Sequence, residues 1–472
     1  MRGFRSIEVV LGAAVVLGLA GLVLTLPATA TVAGCVAIIF GVYFFTKPVN
    51  ALMATFVIRV IIDLFWWVPG DIGGLNILEA FGGGVAAMAA VLCYIEIKRV
   101  ERTPGFLALC CYLVILVIAA GRSGEVRDAA EILAKYIVPL LLMFLVATMI
   151  TEDGDRKRLL VLITAAALVS LALSSYHLLS GQALEHYRQG YYRLVGGYKN
   201  LHNHALFLLV LNCVLVFWID NTKGLRRAFV TGCLGVGLVC LYYTYVRTAL
   251  TGFVVFTFVF LAVQKRWGLV GLGSAALLLL LVMNASMQDR FSDLVTFLGD
   301  DALHNRRTLG SGRVGIWGSS MAEFARQSPV DMVLGLGLGG HYEMTDMYAD
   351  LYRSAEKSDD LDSHNDYLSL LYQLGPIAVV SYIVLQWQVL KQGLFVLRNG
   401  ASAWGRGYGA FMIALTAVTV VTNLLSNSFI QRVTIAWLFW GMVGILFGMA
   451  MGIRRRRLLE EHPRVVPLKE AA

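Results

Sequence analysis

Long apolar runs alternate with short polar breaks along most of the chain. Runs at about 8–26, 30–46, 50–68, 76–96, 105–120, 132–149, 158–178, 203–219, 228–246, 248–263, 267–284, 366–389, 408–426 and 433–452 each come near the ~17–25 residues with which a helix crosses a bilayer. The pattern predicts an all-α, polytopic membrane bundle of about 12–14 transmembrane helices. The lower count applies if the two runs flanking Arg247 form one long bent pair. Arg2 and Arg5 before the first run, and Ala28-Thr29-Ala30 after it, resemble a cleavable signal. The stretch from Ile7 to Leu26 is longer than the ~7–15-residue core of such signals, so it is expected to remain as the first span.

The polar breaks sort by charge. Every second one is basic: Lys47, Lys98 to Arg102, Arg156 to Arg158, Lys223 to Arg227, Lys265-Arg266, Lys391 to Arg406, and Arg454 to Arg457. Basic loops stay in the cytoplasm, so both termini are expected there. The reading is a single integral membrane domain over 1–472, with a large extracytoplasmic loop at 285–365 and a cytoplasmic basic tail at 453–472. No internal repeat is visible. Loops beyond about 12–15 residues are uncommon unless functional. This one holds two helix-periodic pieces, Phe291, Leu294, Val295 and Leu298, then Val314, Trp317, Met321 and Phe324. Both read as amphipathic helices at the membrane surface, the second ended by Pro329.

Composition adds exclusions. Of 472 residues, 58% are hydrophobic and 15% charged, against about 25% charged in soluble domains, which excludes a soluble protein. The net charge of +8 is spread over short clusters between spans, so no nucleic-acid partner is expected. The seven cysteines fall in apolar runs without a Cys-x-x-Cys or Cys/His cluster, so neither a disulfide framework nor a zinc site is implied.

Candidate chemistry gathers in the breaks opposite the basic ones. Arg188, Arg193 and Lys199 lie in one, Arg247 in the short turn 245–248, and Arg306, Arg307 and Arg313 in the long loop. The guanidinium fork matches phosphate oxygens and stays charged, which suits a lipid-linked pyrophosphate, lipid headgroups or carboxylates of the same loops. Arg247 is flanked tightly by span residues, and such an arginine reads as functional. His364 stands where the long loop enters a helix; its imidazole suits removal of a proton from a sugar hydroxyl, or a simple helix cap. Two Asp-x-Asp pairs occur, Asp153/Asp155 on the cytoplasmic side and Asp360/Asp362 just before His364. Only the second is placed to hold a metal for this chemistry. Arg59/Asp63 and Glu131/Lys135, each four residues apart in or at spans, fit a transporter's ion path or structural ion pairs.

Five pieces carry a resemblance: Tyr192-Arg193-Leu194-Val195-Gly196-Gly197-Tyr198 running on to Asn203 and Ala205; Val246-Arg247-Thr248; Ser311-Gly312-Arg313-Val314-Gly315-Ile316-Trp317; Gly335-Leu336-Gly337; and His364-Asn365 with Gly375. In order and spacing they resemble the O-antigen ligase and O-antigen polymerase superfamily of membrane glycosyltransferases. Where that family often has Asn-Pro-Asn, this chain reads Asn200-Leu201-His202-Asn203. The resemblance implies a GT-C-like bundle in the bacterial inner membrane with its site facing the periplasm. It implies glycosyl transfer from undecaprenyl pyrophosphate to an acceptor hydroxyl, without cofactor or metal and with inversion. Arg247, Arg313 and His364 would be catalytic; Arg193, Arg188, Asn365, Tyr198 and Trp317 would bind substrate. Implied partners are the lipid-linked glycan donor, a glycan or lipid A-core acceptor, membrane lipids and a chain-length regulator. Acidic residues outnumber basic ones in the long loop. That favours polymerisation of lipid-linked repeat units over ligation to a phosphorylated lipid A core.

Overall fold

The computed structural model describes residues 41–65, 77–124, 126–187, 191–271, 313–340, 363–430 and 432–461. From Pro48 onward, its α-helices of six residues or more are α1 (Pro48–Ile62), α2 (Ile77–Ile95), α3 (Phe106–Arg122), α4 (Val126–Met149), α5 (Asp153–Ser180), α6 (Leu201–Asn221), α7 (Gly224–Tyr243), α8 (Arg247–Val263), α9 (Arg313–Phe324), α10 (Pro329–Leu334), α11 (Asp366–Asn399), α12 (Ala403–Leu425) and α13 (Val433–Glu461). One antiparallel hairpin, β1 (Leu184–Tyr187) and β2 (Tyr191–Leu194), pairs Glu185 with Arg193. Seven of these helices, α4 to α7 and α11 to α13, are long and apolar enough to cross a membrane. The molecule is thus an all-α polytopic bundle. The run at 8–26, residues 30–40 of the second run, most of 267–284, and the helix expected at 291–298 lie outside the described residues, while 41–46 are helical. The two runs flanking Arg247 are separate helices, divided by Tyr245, whose φ is +54°.

Burial orders the bundle. α13 is apolar all round, and 94% of its most hydrophobic window is buried, whereas 17% of that of α7 is. A helix without a polar face belongs at the centre, and α13 packs there against α4 and α11. Lipid tails are as apolar as the core, so close packing must hold the helices together. Small residues permit it: a Cβ on Gly444 of α13 would stand 2.5 Å from the carbonyl oxygen of Met143 in α4.

The charges inside the spans are paired. Arg59 Nη2 lies 2.7 Å from Asp63 Oδ1 and its Nε donates to Thr434 Oγ1 at 3.0 Å. The guanidinium also stands over the Trp437 ring. The network ties α1 to α13; removing one partner of such a buried pair costs about 3–5 kcal/mol. Glu131 and Lys135 meet at 2.5 Å on a half-exposed face. Asp153, from the first Asp-x-Asp, binds Arg156 at 2.7 Å, while Arg156 Nε caps the carbonyl of Ile150. Asp360 and Asp362 lie outside the described residues.

Two readings of the long loop are corrected. The buried stripe of α9 is Ile316, Ser320 and Phe324, and Met321 is 44% exposed. Counting apolar positions misplaces the face because Tyr372 of α11 donates its hydroxyl to Ser320 Oγ at 3.1 Å and packs its ring on Phe324. Pro329 does not end α9, which stops at Phe324. It opens α10, where Ser328 caps the helix and a missing N–H is harmless.

α11 is interrupted. Gly375 has φ 76° and ψ 176°, and Pro376 follows. Proline has no N–H, so the carbonyl of Tyr372 loses its helical donor. The backbone N–H of Leu336 takes that place at 2.8 Å, and Gly337 N–H donates to Gln373 O at 3.1 Å. The Gly335-Leu336-Gly337 segment is therefore stitched into the break in α11. Arg122 at the end of α3 holds the same region through Asp331 at 2.5 Å.

Candidate functional site

At the bundle end opposite the basic clusters, six segments converge: β2, the start of α6, the α7–α8 turn, the start of α9, the start of α11 and the α12–α13 turn. His202, in the first turn of α6, marks the centre. Arg432, His364, Arg313 and Arg193 all lie close enough to act electrostatically on its ring. The His202 and His364 rings are 6.3 Å apart between centroids.

Each of these side chains is placed by a local device. Arg193 stands in β2 across from Glu185. The turn that follows it is seated on His204: a Cβ on Gly196 would fall 2.1 Å from His204 Cε1, so this position admits only glycine. Arg247 is the first residue of α8, after the left-handed Tyr245. Arg313 opens α9 and donates to the carbonyl of Leu425, at the end of α12, where a helix favours a cation. Burial, and then the neighbouring Arg247 guanidinium, push Arg313 below the ordinary arginine range; arginine nonetheless keeps its proton. Two guanidinium groups near enough to repel each other form a place that an anion stabilises.

His364 itself has φ 49°, the left-handed region. Non-glycine residues enter that region rarely, and such strain clusters at functional positions. The strain is held from both sides. Trp317 Nε1 donates to the Ser363 carbonyl at 2.8 Å. Asn365 caps α11, its Oδ1 accepting from Tyr367 and Leu368 N–H at 3.0 and 3.1 Å. Asp366, fully buried, accepts from the backbone N–H groups of Ser428 and Phe429 at 2.8 and 3.1 Å, which fixes the α12–α13 turn against α11.

Of the residues expected at the site, Arg193, Arg247, Arg313 and His364 come together. Arg188 lies outside the described residues. Trp317 and Asn365 sit beside His364, with their polar groups engaged in holding its turn. Tyr198 is buried, stacked on His204 and bonded to Ser170 Oγ at 3.2 Å, and it lines an apolar cavity beside the hairpin.

Two residues join the cluster that the sequence reading did not assign. One is His202. The other is Arg432, whose Nη1 donates to Asn203 Oδ1 at 2.6 Å and whose Nε donates to the Asn427 carbonyl at 3.0 Å. Arg432 follows the same rule that exposed the other arginines: it is a cation at the end of a span where the charge pattern does not require one. Next to the cluster, an apolar cavity of about 910 Å³ opens between α1, α5 and the hairpin, lined among others by Ile61, Leu64, Leu173 and Leu184, with Lys199 beside them.

Residues 232–383 match the O-antigen ligase family, Wzy_C. The matched segment holds Arg247, Arg313, Trp317 and His364 and stops before Arg432. No curated protein matches the chain.

Proposed function

We propose, from the match of residues 232–383 to the O-antigen ligase family, that this chain is a membrane glycosyltransferase that uses an undecaprenyl pyrophosphate-linked glycan as donor. The observation that carries the reading is the convergence of Arg193, Arg313, Arg432 and His364 on His202, with Arg247 beside Arg313. Pyrophosphate is a good leaving group, and fixed guanidinium groups neutralise the charge that grows on it as the glycosidic bond breaks. His364 takes the proton of the acceptor hydroxyl, whose oxygen bonds to the anomeric carbon as the carbon–pyrophosphate bond opens and its electron pair leaves with the phosphate. Attack opposite the leaving group inverts that carbon. The apolar cavity beside Lys199 offers the prenyl tail a seat next to the cluster.

On this reading the protein lies in a bacterial inner membrane with both termini in the cytoplasm and the cluster facing the periplasm, as the basic breaks at the opposite end suggest. The acceptor is a second lipid-linked repeat unit, which makes the enzyme a polymerase, with a chain-length regulator as an expected partner. The acid surplus of the 285–365 loop favours this acceptor over a phosphorylated one. The description of the matched family favours a second reading, ligation to lipid A-core. Purified protein in nanodiscs, given only lipid-linked repeat units, is expected to make a ladder of longer glycans. Product that appears only when lipid A-core is added would establish the ligase, and flux of substrate in liposomes without any acceptor would establish a transporter instead.

A further inference from the structure

His202 and His204 occupy the same turn of α6 and are treated differently by the fold. His204 is fully buried and both its ring nitrogens are occupied: Nε2 meets Ser174 Oγ at 2.8 Å and Nδ1 meets the Leu194 carbonyl at 3.3 Å. It is a structural histidine beneath the Arg193–Gly197 turn. His202 has a buried Nδ1 with no hydrogen-bond partner among the described residues. Its backbone is nonetheless fixed, the N–H donating to Asn200 Oδ1 at 2.8 Å. The adjacent Asn203 holds Arg432, and the His364 ring stands 6.3 Å away.

A buried ring nitrogen without a partner carries a desolvation penalty of about 1–3 kcal/mol. Folds keep such an atom where something else fills it. Guanidinium groups from three other segments, Arg193, Arg313 and Arg432, lie close enough to act on this ring, so the partner that the surroundings favour is an anion.

We propose that His202 is a second ligand-contacting imidazole of the transfer site, its Nδ1–H donating a hydrogen bond to a pyrophosphate oxygen of the donor while His364 serves the acceptor hydroxyl. The assignment rests on the donor reading given above. It divides the two rings by task. His202 keeps its proton throughout, and its hydrogen bond strengthens as charge builds on the leaving group. His364 gains a proton in the same step.

The test uses the geometry of amides. An asparagine amide nitrogen stands near the position of Nδ1, whereas a glutamine amide nitrogen reaches toward that of Nε2. Binding of farnesyl pyrophosphate to the full-length detergent-purified protein is measured for the unsubstituted chain and for His202→Asn, His202→Gln and His202→Ala. The thermal unfolding midpoint of each variant is recorded as well. The expected result is binding within about threefold of the unsubstituted chain for Asn and about tenfold weaker for Gln and Ala, a difference near 1.4 kcal/mol. Asn as weak as Gln, or Ala as strong as the unsubstituted chain, overturns the assignment while leaving the donor reading intact. Failure of the unsubstituted protein to bind the pyrophosphate overturns the donor reading and this assignment with it. If Ala alone unfolds, the contrast between Asn and Gln decides.

Discussion

Gly335 and Gly375 hold the same rare backbone conformation, φ 74° and ψ 174° in one and φ 76° and ψ 176° in the other, and a Cβ on either would run into the backbone of the segment that carries the other. A Cβ on Gly335 would lie 2.3 Å from the Gln373 carbonyl oxygen, and one on Gly375 would lie 2.1 Å from that of Val333. This region of backbone space is essentially reserved for glycine and costs other residues about 1–3 kcal/mol before any clash is counted. Gly375→Ala is therefore expected to lower the thermal midpoint in detergent and to reduce transfer, and Gly335→Ala to do the same. A Gly375→Ala protein with an unchanged midpoint would show that the two segments are not locked together.

The arginine cluster makes a sharper prediction about chemistry than about charge. If Arg247 and Arg313 grip pyrophosphate through paired N–H groups, lysine keeps the charge but loses the fork. Arg247→Lys and Arg313→Lys are expected to fall by about 100-fold in turnover, near the loss in the alanine variants. Lysine variants with full activity would reduce both residues to general electrostatic attraction.

His364→Ala is expected to lower transfer by about 10²–10⁴-fold, the usual contribution of a general base, with insertion and donor binding preserved. His341, in the same loop, serves as the comparison and should tolerate alanine. Product of normal length and amount from His364→Ala would remove the base from the mechanism.

Fixed cations at the leaving group make a divalent ion redundant. Transfer in nanodiscs is accordingly expected to survive EDTA, and the double variant Asp360→Asn, Asp362→Asn to keep most of its activity. Loss in chelator with recovery in magnesium or manganese would relocate the chemistry to those aspartates.

What could be read from the chain and what could not have a common physical cause. Span length is a local property, so the runs from 105–120 onward that the structure describes, 267–284 aside, correspond to helices, although α11 and α13 continue past their apolar windows to Asn399 and Glu461. Arg193, Arg247, Arg313 and His364 were legible because each stands at a polar break. Arg432 shares that signal yet sits in a short turn with no pattern of its own, and its partner Asn203 is 229 residues away in sequence. Only packing brings them together. The face of α9 was misjudged for a related reason: Ser320 is fully buried because a tyrosine hydroxyl waits for it, and hydrophobic periodicity carries no record of a polar partner elsewhere in the chain.

The clamp of Asp366 on the amides of Ser428 and Phe429 also orders events in time. A ribosome makes α11 long before it makes the α12–α13 turn, and until that turn is inserted the Asp366 carboxyl lacks both donors while Arg432 does not yet exist. Arg432 can join His364 only once the last two helices enter the bundle, so a half-synthesised chain in the membrane holds an incomplete cation cluster.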